Sequence, residues 1–441
     1  LHFISGRAEI FFARLFFMEK KRSILMLATM KRIAASVLLL FGAVVPSTAE
    51  ISKSDKFDLA WKNAWENFFS PKTNLFYDYI SSYESGKQLA HLPTAREVNN
   101  QYPNFCGYGT GMEDCAILGG AMLSAIVDLS EKNGASEYLK ISAKKVFDGL
   151  SLCCTVHGVK GFVARGVCVQ DSKSIYINTS RDQYTHLVHG LWKYYNSKII
   201  DANTKAKVCG LLSNIADRMI ATVVPENDYD SLRADGSRCG LGICRMWNVG
   251  AHEAARLPMI YAAAWKTSGN IRYFKEYEKY FQSALEQSEK VTSGHPAYAL
   301  LQMQCSLELL RDVQSDLSTR ARISSLMQKV AQLTYPKSLD FAKRMEKMDL
   351  TQLGIDWRKP AFWREQNGYK IPDWGEYRKM WDSVRGAAEG ILVCQMASYR
   401  NEECGRLAEK ISDMCEYNKM SSCGIIYHIA VMAKMYPLAV Q

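Results

Sequence analysis

Apolar residues recur at helical spacing about a dozen times along this chain, and the connections between those segments alternate between short and long. The pattern predicts helices over 56–69, 112–130, 136–150, 181–196, 203–222, 249–267, 271–287, 294–311, 318–333, 383–399, 402–415 and 422–435. Short links fall at 131–135, 197–202, 268–270, 312–317 and 400–401, and long ones at 70–111, 151–180, 223–248 and 334–382. A short link joins antiparallel neighbours. The chain therefore reads as helical hairpin after helical hairpin, with its elaborate loops at one end. Six such hairpins closed in a ring give an all-α (α/α)6 toroid. An open α-solenoid is the rival, but solenoid repeats keep a fixed period and these hairpins vary in length. Inner helices should follow the long loops and carry small residues where the centre is crowded, as at Gly119-Gly120-Ala121, Ala262-Ala263-Ala264 and Gly386-Ala387-Ala388. One short β-hairpin is expected at 159–178, where Gly158, Gly161 and Gly166 punctuate β-branched and aromatic residues.

Residues 30–49 read as a secretory signal. Lys31-Arg32 precede the apolar stretch Ile33 to Val45, and Ser47-Thr48-Ala49 offer a small-residue cleavage site. Residues 1–29 then read as upstream translation, and 50–441 as a single catalytic domain, exported to a periplasm or secreted. The apolar stretch is too short to span a bilayer. Of the formal charge of +10, residues 1–49 contribute seven Lys/Arg and two Asp/Glu, which leaves +5 beyond them. No Lys/Arg run forms a nucleic-acid stripe, while a mild positive balance suits an anionic substrate. Thirteen cysteines follow the signal. In an exported chain Cys239 and Cys244 could close a small loop, as could Cys404 with Cys415 or Cys423. No CxxC pair occurs, and Cys153-Cys154 are adjacent, so no metal is expected. Asp228, Asp230 and Asp235-Gly236 look like a calcium loop, but their spacing breaks the EF-hand pattern. No cofactor is expected either: GxSxG, the P-loop and GxGxxG after a strand are all missing.

Chemistry concentrates at three predicted helix starts: Gly111-Met112-Glu113-Asp114, Ser180-Arg181-Asp182-Gln183 and Gly250-Ala251-His252-Glu253. In a ring with parallel inner helices these starts converge on one mouth. Capping alone would account for Glu113, Asp114 and Asp182, since an acid in a first helical turn is stabilised by roughly 0.3–1 kcal/mol. Arg181 is disfavoured there, so it calls for an anionic ligand or a salt bridge to a neighbouring helix. His186 and His189 lie one turn apart without an HExxH arrangement, which suits hydrogen-bonding histidines better than a metal pair. His186 shares the face of Asp182 and joins the binding set. His252 points to the same cleft, with His295 and Arg385 at equivalent places in later hairpins. The long loops hold Tyr77, Tyr79, Tyr102, Phe105, Tyr108, Trp247, Trp357, Trp363, Trp374 and Trp381. Many of these must form small loop cores. Trp247 and Trp374 are taken to face sugar rings.

Glu113-Asp114 opening an apolar helix, a hairpin partner at 136–150, a glycine-rich loop and then Ser180-Arg181-Asp182-Gln183 resembles the unsaturated glucuronyl and rhamnogalacturonyl hydrolases. These are (α/α)6-barrel glycosidases in which a helix-opening Asp precedes a Ser-Arg-Gly-Gln helix. The resemblance implies Asp114 in the place of the catalytic acid, with Arg181 and Gln183 near the substrate. This chain departs from the pattern at Asp182, where the family has glycine. The expected function is hydrolysis of oligosaccharides from a polysaccharide, uronic-acid-containing ones among them. Asp114 and Asp182 would form the acid/base pair, about 10 Å apart on adjacent inner helices, nearer to an inverting than to a retaining spacing. A polysaccharide lyase using Tyr184, His252 and Arg181 is one rival, and a non-catalytic glycan-binding protein is another.

Overall fold

The structure, a computed structural model, describes residues 52–366 and 368–438. The expected signal segment and the residues before it lie outside these. Twelve long helices are labelled here in chain order: α1 (Lys53–Asn63, continued by a π-turn, Ala64–Phe68), α2 (Cys115–Asn133), α3 (Glu137–Thr155), α4 (Arg181–Asn196), α5 (Ala202–Thr222), α6 (Arg256–Ser268), α7 (Ile271–Ser288), α8 (Ala297–Val313), α9 (Leu317–Met345), α10 (Glu376–Met396), α11 (Asn401–Met414) and α12 (Gly424–Ala433).

The even-numbered helices form the inner ring. Each packs on the next, from α2 through α4, α6, α8 and α10 to α12, and α12 packs back on α2 to close it. Odd-numbered helices lie outside against their neighbours. Burial follows the same division. The inner α2 buries nearly every residue from Cys115 to Ser130, whereas the outer α7 buries one stripe including Tyr273, Tyr277, Tyr280 and Ala284. A helix apolar all round belongs inside, and an amphipathic one belongs at a wall. The fold is thus an all-α toroid of six hairpins, with the long connections 70–114, 156–180, 223–255 and 346–375 all entering inner helices at one face.

Small residues let the helices close on one another. A Cβ on Gly120 would overlap the backbone of His186 on α4, and one on Gly386 would strike Phe341 of α9. Short outer-face links are set by caps: Ser136 Oγ accepts from Leu139 N (3.3 Å), Asp201 from Thr204 N (2.9 Å) and Asp316 from Thr319 N (2.7 Å).

Several local expectations are corrected. Residues 159–178 form no hairpin. Their backbone groups pair outward instead, with Ala164 N donating to Cys153 O, Arg165 O accepting from Ala116 N and Val163 O accepting from the Thr179 hydroxyl. The two small antiparallel hairpins lie elsewhere: Phe69–Ser70 with Leu75–Phe76, and Trp363–Gln366 with Tyr369–Pro372. Helix α6 starts at Arg256, so His252 and Glu253 sit in a turn before it. Helix α10 starts at Glu376, which puts Arg385 in mid-helix, and α9 runs on through Pro336 to Met345. All thirteen cysteines are thiols. Cys239 and Cys244 are neighbours, but Cys404 neighbours Cys394 rather than Cys415 or Cys423.

Candidate functional site

Asp114 occupies the N-cap position of α2, yet its side chain makes no capping bond. Its oxygens turn to two buried guanidiniums and an amide. Oδ1 accepts from Arg165 Nη2 (3.3 Å) and Gln183 Nε2 (3.3 Å), and Oδ2 from Arg385 Nη1 (3.0 Å). Capping does not explain this residue. Ser180 behaves likewise: it stands at the N-cap of α4, but its hydroxyl accepts from Arg165 Nη1 (3.1 Å). Gln183 is fully buried and braces the start of α2 by donating to Glu113 O (2.9 Å).

Behind Asp114 lie three more buried carboxyls. Glu113 accepts from Gly109 N (2.7 Å) and Gly111 N (2.8 Å). Asp78, from the first long loop, is 1 % exposed, and both of its oxygens lack a conventional hydrogen-bond partner. Glu389 accepts from Arg385 Nε (2.7 Å), and Arg385 Nη2 donates to the Tyr427 hydroxyl (3.2 Å). Burial raises Asp78 well above the usual carboxyl range, and Glu113 and Asp114 add to it. Burial raises Glu113 too, with Asp114 adding. Burial also raises Glu389, although Arg385 opposes it. Asp78, Glu113 and Glu389 therefore keep their protons to higher pH than ordinary acids do.

Asp182, one residue into α4, has the opposite environment. Burial pushes its carboxyl up, but Arg256 and Arg181 outweigh that and hold it below the usual range. Arg256 is 1 % exposed and bonds Asp182 Oδ1 (2.5 Å) and Gln302 Oε1 (2.6 Å). Tyr108 and Tyr298 flank this zone. Arg165 lies 4.8 Å from the Tyr108 ring centroid, and Tyr298, about half exposed on α8, is near Asp182, Arg385 and Arg256. Buried polar atoms without partners collect in the same zone: Arg165 Nε, Arg256 Nε, Gln183 Oε1 and Gln302 Nε2. Such atoms are uncommon in folded proteins.

Arg181 is held by protein. It donates to Glu253 Oε1 (2.5 and 2.9 Å) and to the carbonyls of Gly242 (2.5 Å) and Arg245 (2.6 Å). The cation in a disfavoured helical position is answered by a salt bridge that pins the third long loop. Glu253 in turn lies 3.7 Å from His252 Nε2, and His252 stacks on His295 (3.9 Å between centroids). Burial lowers His252 to about 4, with Arg256 contributing, so it is neutral at neutral pH.

The other candidates scatter. Trp374 is buried under the mouth, donating to Gly109 O (3.3 Å) and packing on Tyr79 and Trp381. Trp247 packs on Tyr280 of the outer α7. His186 is buried deeper in the barrel, edge-on to Tyr427. The suspected calcium loop occupies its acids internally: Asp228 pairs with Arg238 (2.9 Å) and Arg245, and Asp235 closes a turn on Ser237 (2.9 Å). Among the described residues no cluster of His, Cys, Asp and Glu is arranged to hold a metal ion, and no helix is long and apolar enough to cross a membrane.

Asp78, Arg165, Arg256, Gln302, Glu389 and Tyr298 were not in the sequence-derived set. Arg256 is the first residue of α6 and Tyr298 the second of α8, so both stand at helix starts, where the other candidates were sought. The others reach the mouth from loops or mid-helix positions that no local pattern marks.

Neither a protein-family model nor a curated protein matches the chain. A solved structure described as a sugar epimerase from a ruminal bacterium is similar, with a TM-score of 0.44 and 11 % identity over 82 % of this chain and 86 % of that one.

Proposed function

We propose that this chain is a carbohydrate-acting enzyme, and specifically a glycoside hydrolase cleaving oligosaccharides that carry an acidic sugar. One observation carries the reading. Carboxyls beside two adjacent inner-helix starts are driven in opposite directions: Asp78 and Glu113, behind Asp114, keep their protons to higher pH than ordinary acids, and Asp182 is held in its ionised form. Paired carboxyls with pKa values pushed apart are what acid/base cleavage of a glycosidic bond requires. Asp114, with 15 % of its side chain exposed, is the member of its group that a substrate can reach, and Asp182 is 33 % exposed. Asp114 would deliver a proton to the leaving oxygen, replenished from Asp78 and Glu113 behind it. Asp182 would activate the attacking water.

The lyase alternative has less support, because the Tyr184 hydroxyl is buried against Gly161 O (3.5 Å) and Arg181 is fully engaged. Export, suggested by the apolar segment 33–45, belongs to the same proposal, as does the resemblance to unsaturated glucuronyl hydrolases.

The test is turnover of acidic oligosaccharides by Asp114→Asn and Asp182→Asn proteins. Each substitution should lower kcat by at least about 100-fold, the usual scale for losing a general acid or base. Wild-type turnover by both variants would sink the assignment. A product absorbing in the near ultraviolet without added water would transfer the chain to the lyases.

A further inference from the structure

A second constellation lies at the opposite end of the barrel, where the inner helices finish. Asp114 opens α2 and Asp128 comes 14 residues later, about 20 Å along the helix at 1.5 Å per residue. There a small, partly open cavity is lined by Cys305, His186, His189, Glu308 and Ser124, with Asp128, Lys193 and Lys434 among its other walls. His189 bonds Glu308 Oε2 through Nε2 (2.7 Å) and meets Ser124 Oγ through Nδ1 (3.3 Å). Cys305 on α8 lines the same cavity as both histidines of α4. Asp128 pairs with both Lys193 and Lys434 beside the cavity, and the three keep 13–22 % side-chain exposure, so it lies close under the surface.

This is a thiol, an imidazole and an orienting carboxylate in one pocket, an arrangement that makes a thiol nucleophilic. A structural role alone does not call for it, because a buried cysteine is normally a small apolar side chain in an apolar site, with its thiol raised. Cys154 on α3 behaves that way, raised by burial to about 12. Around Cys305 burial also opposes ionisation, but His189 and His186 outweigh it. His189 is held protonated against burial by Cys305 and Glu308. Further charged or titratable groups near the pair are Lys193 of α4, Asp128 of α2, Tyr427 and Lys434 of α12 and its C-terminal end, and Arg311 and Asp312 of α8.

We propose that Cys305, with His189 and Glu308, is a reactive thiolate site for a peroxide-sized oxidant, separate from the mouth. The thiolate sulfur attacks one peroxide oxygen; the S–O bond forms and the O–O bond breaks. The hydroxide leaving group takes the proton of His189 and departs as water. Sulfur is oxidised by two electrons to sulfenic acid, and the peroxide is reduced. The cavity admits a molecule of that size and excludes bulky thiols, which would slow glutathione capping.

The experiment treats the full chain with hydrogen peroxide and follows oxygen addition at each cysteine by peptide mass spectrometry. Cys305 should oxidise roughly tenfold faster at neutral pH than buried cysteines whose thiols are raised, such as Cys153 and Cys154. His189→Gln should remove that advantage, and Glu308→Gln should reduce it several-fold. Thiolate absorbance in the far ultraviolet below neutral pH should be lower by one thiolate in Cys305→Ser than in the wild type. This last comparison holds even if the His189 variant fails to fold. Uniform oxidation of all cysteines, or wild-type absorbance in Cys305→Ser, would overturn the proposal.

Discussion

At the scale of single residues, Asp78 is the member of the mouth whose removal is most informative. Its folded pKa lies above its unfolded value, so the native state binds a proton that the unfolded chain releases. That contribution is full below about pH 4, the unfolded carboxyl value, and is lost as pH rises through the folded value. Asp78→Asn should therefore flatten the fall in stability above that point, measured as urea midpoints across pH. An unchanged pH slope would mean that Asp78 does not hold the proton. Asp182 has the opposite sign: its ionised form is stabilised, and that support fades as pH falls through its depressed value. Arg256→Met should move the acid limb of the kcat/KM profile to higher pH by releasing Asp182 from its main partner, whereas a substitution acting only on structure would lower the whole profile without moving the limb. Residue identity made Asp114, Asp182 and His252 visible from the sequence. It could not show that Arg181 faces Glu253 rather than a ligand, because the partner is 72 positions away.

At the scale of elements, the inner ring depends on two backbones touching. Gly120 of α2 meets the carbonyl of His186 on α4, and Gly190 returns the contact to Gly120. Gly120→Ala places a methyl against backbone rather than a movable side chain, so it should cost about 3 kcal/mol, at the upper end of overpacking. Ser136→Ala removes only a cap on an exposed link, and about 1 kcal/mol is expected. Denaturant titration of the two variants checks the contrast; equal losses would show that the α2–α4 crossing has slack. Helices were legible because the 3.6-residue period survives burial. Their ends were less so: the start of α6 lies seven residues later than the expected 249, because His252 and Glu253 make a turn with the same local composition as a helix start.

At the scale of the whole molecule, the long loops brace one another over the mouth. Arg358 in the last loop grips Glu97 with two bonds (2.6 and 2.7 Å) and donates to the carbonyls of His91 (2.8 Å) and Leu92 (3.0 Å) in the first. Trp357 adds a bond to His91 O (2.8 Å). Arg358→Ala leaves these acceptors without their charged partner, at about 1.5–3 kcal/mol for the set's strongest bond. Proteolytic nicking between 349 and 375 should appear at protease levels that leave the wild type intact, with the helices still resistant. Simultaneous loss of the helical core would show that this loop belongs to the main folding unit. Most loop aromatics serve the same bracing, so Trp374 and Trp247 are turned into protein contacts.

What the sequence determined by itself was the periodic part: which segments are helices, which of them lie inside, and that the long loops share one face. Those properties follow from residue spacing and loop length, and both are local. What only the tertiary structure decided was the pairing of charge. Asp78, Arg165, Asp114 and Arg385 come from positions more than 300 residues apart at the extremes, and ring closure alone brings them together. A carboxyl's protonation depends on the neighbours that closure supplies, so the division between proton-holding Asp78–Glu113 and ionised Asp182 could not be read from either segment alone.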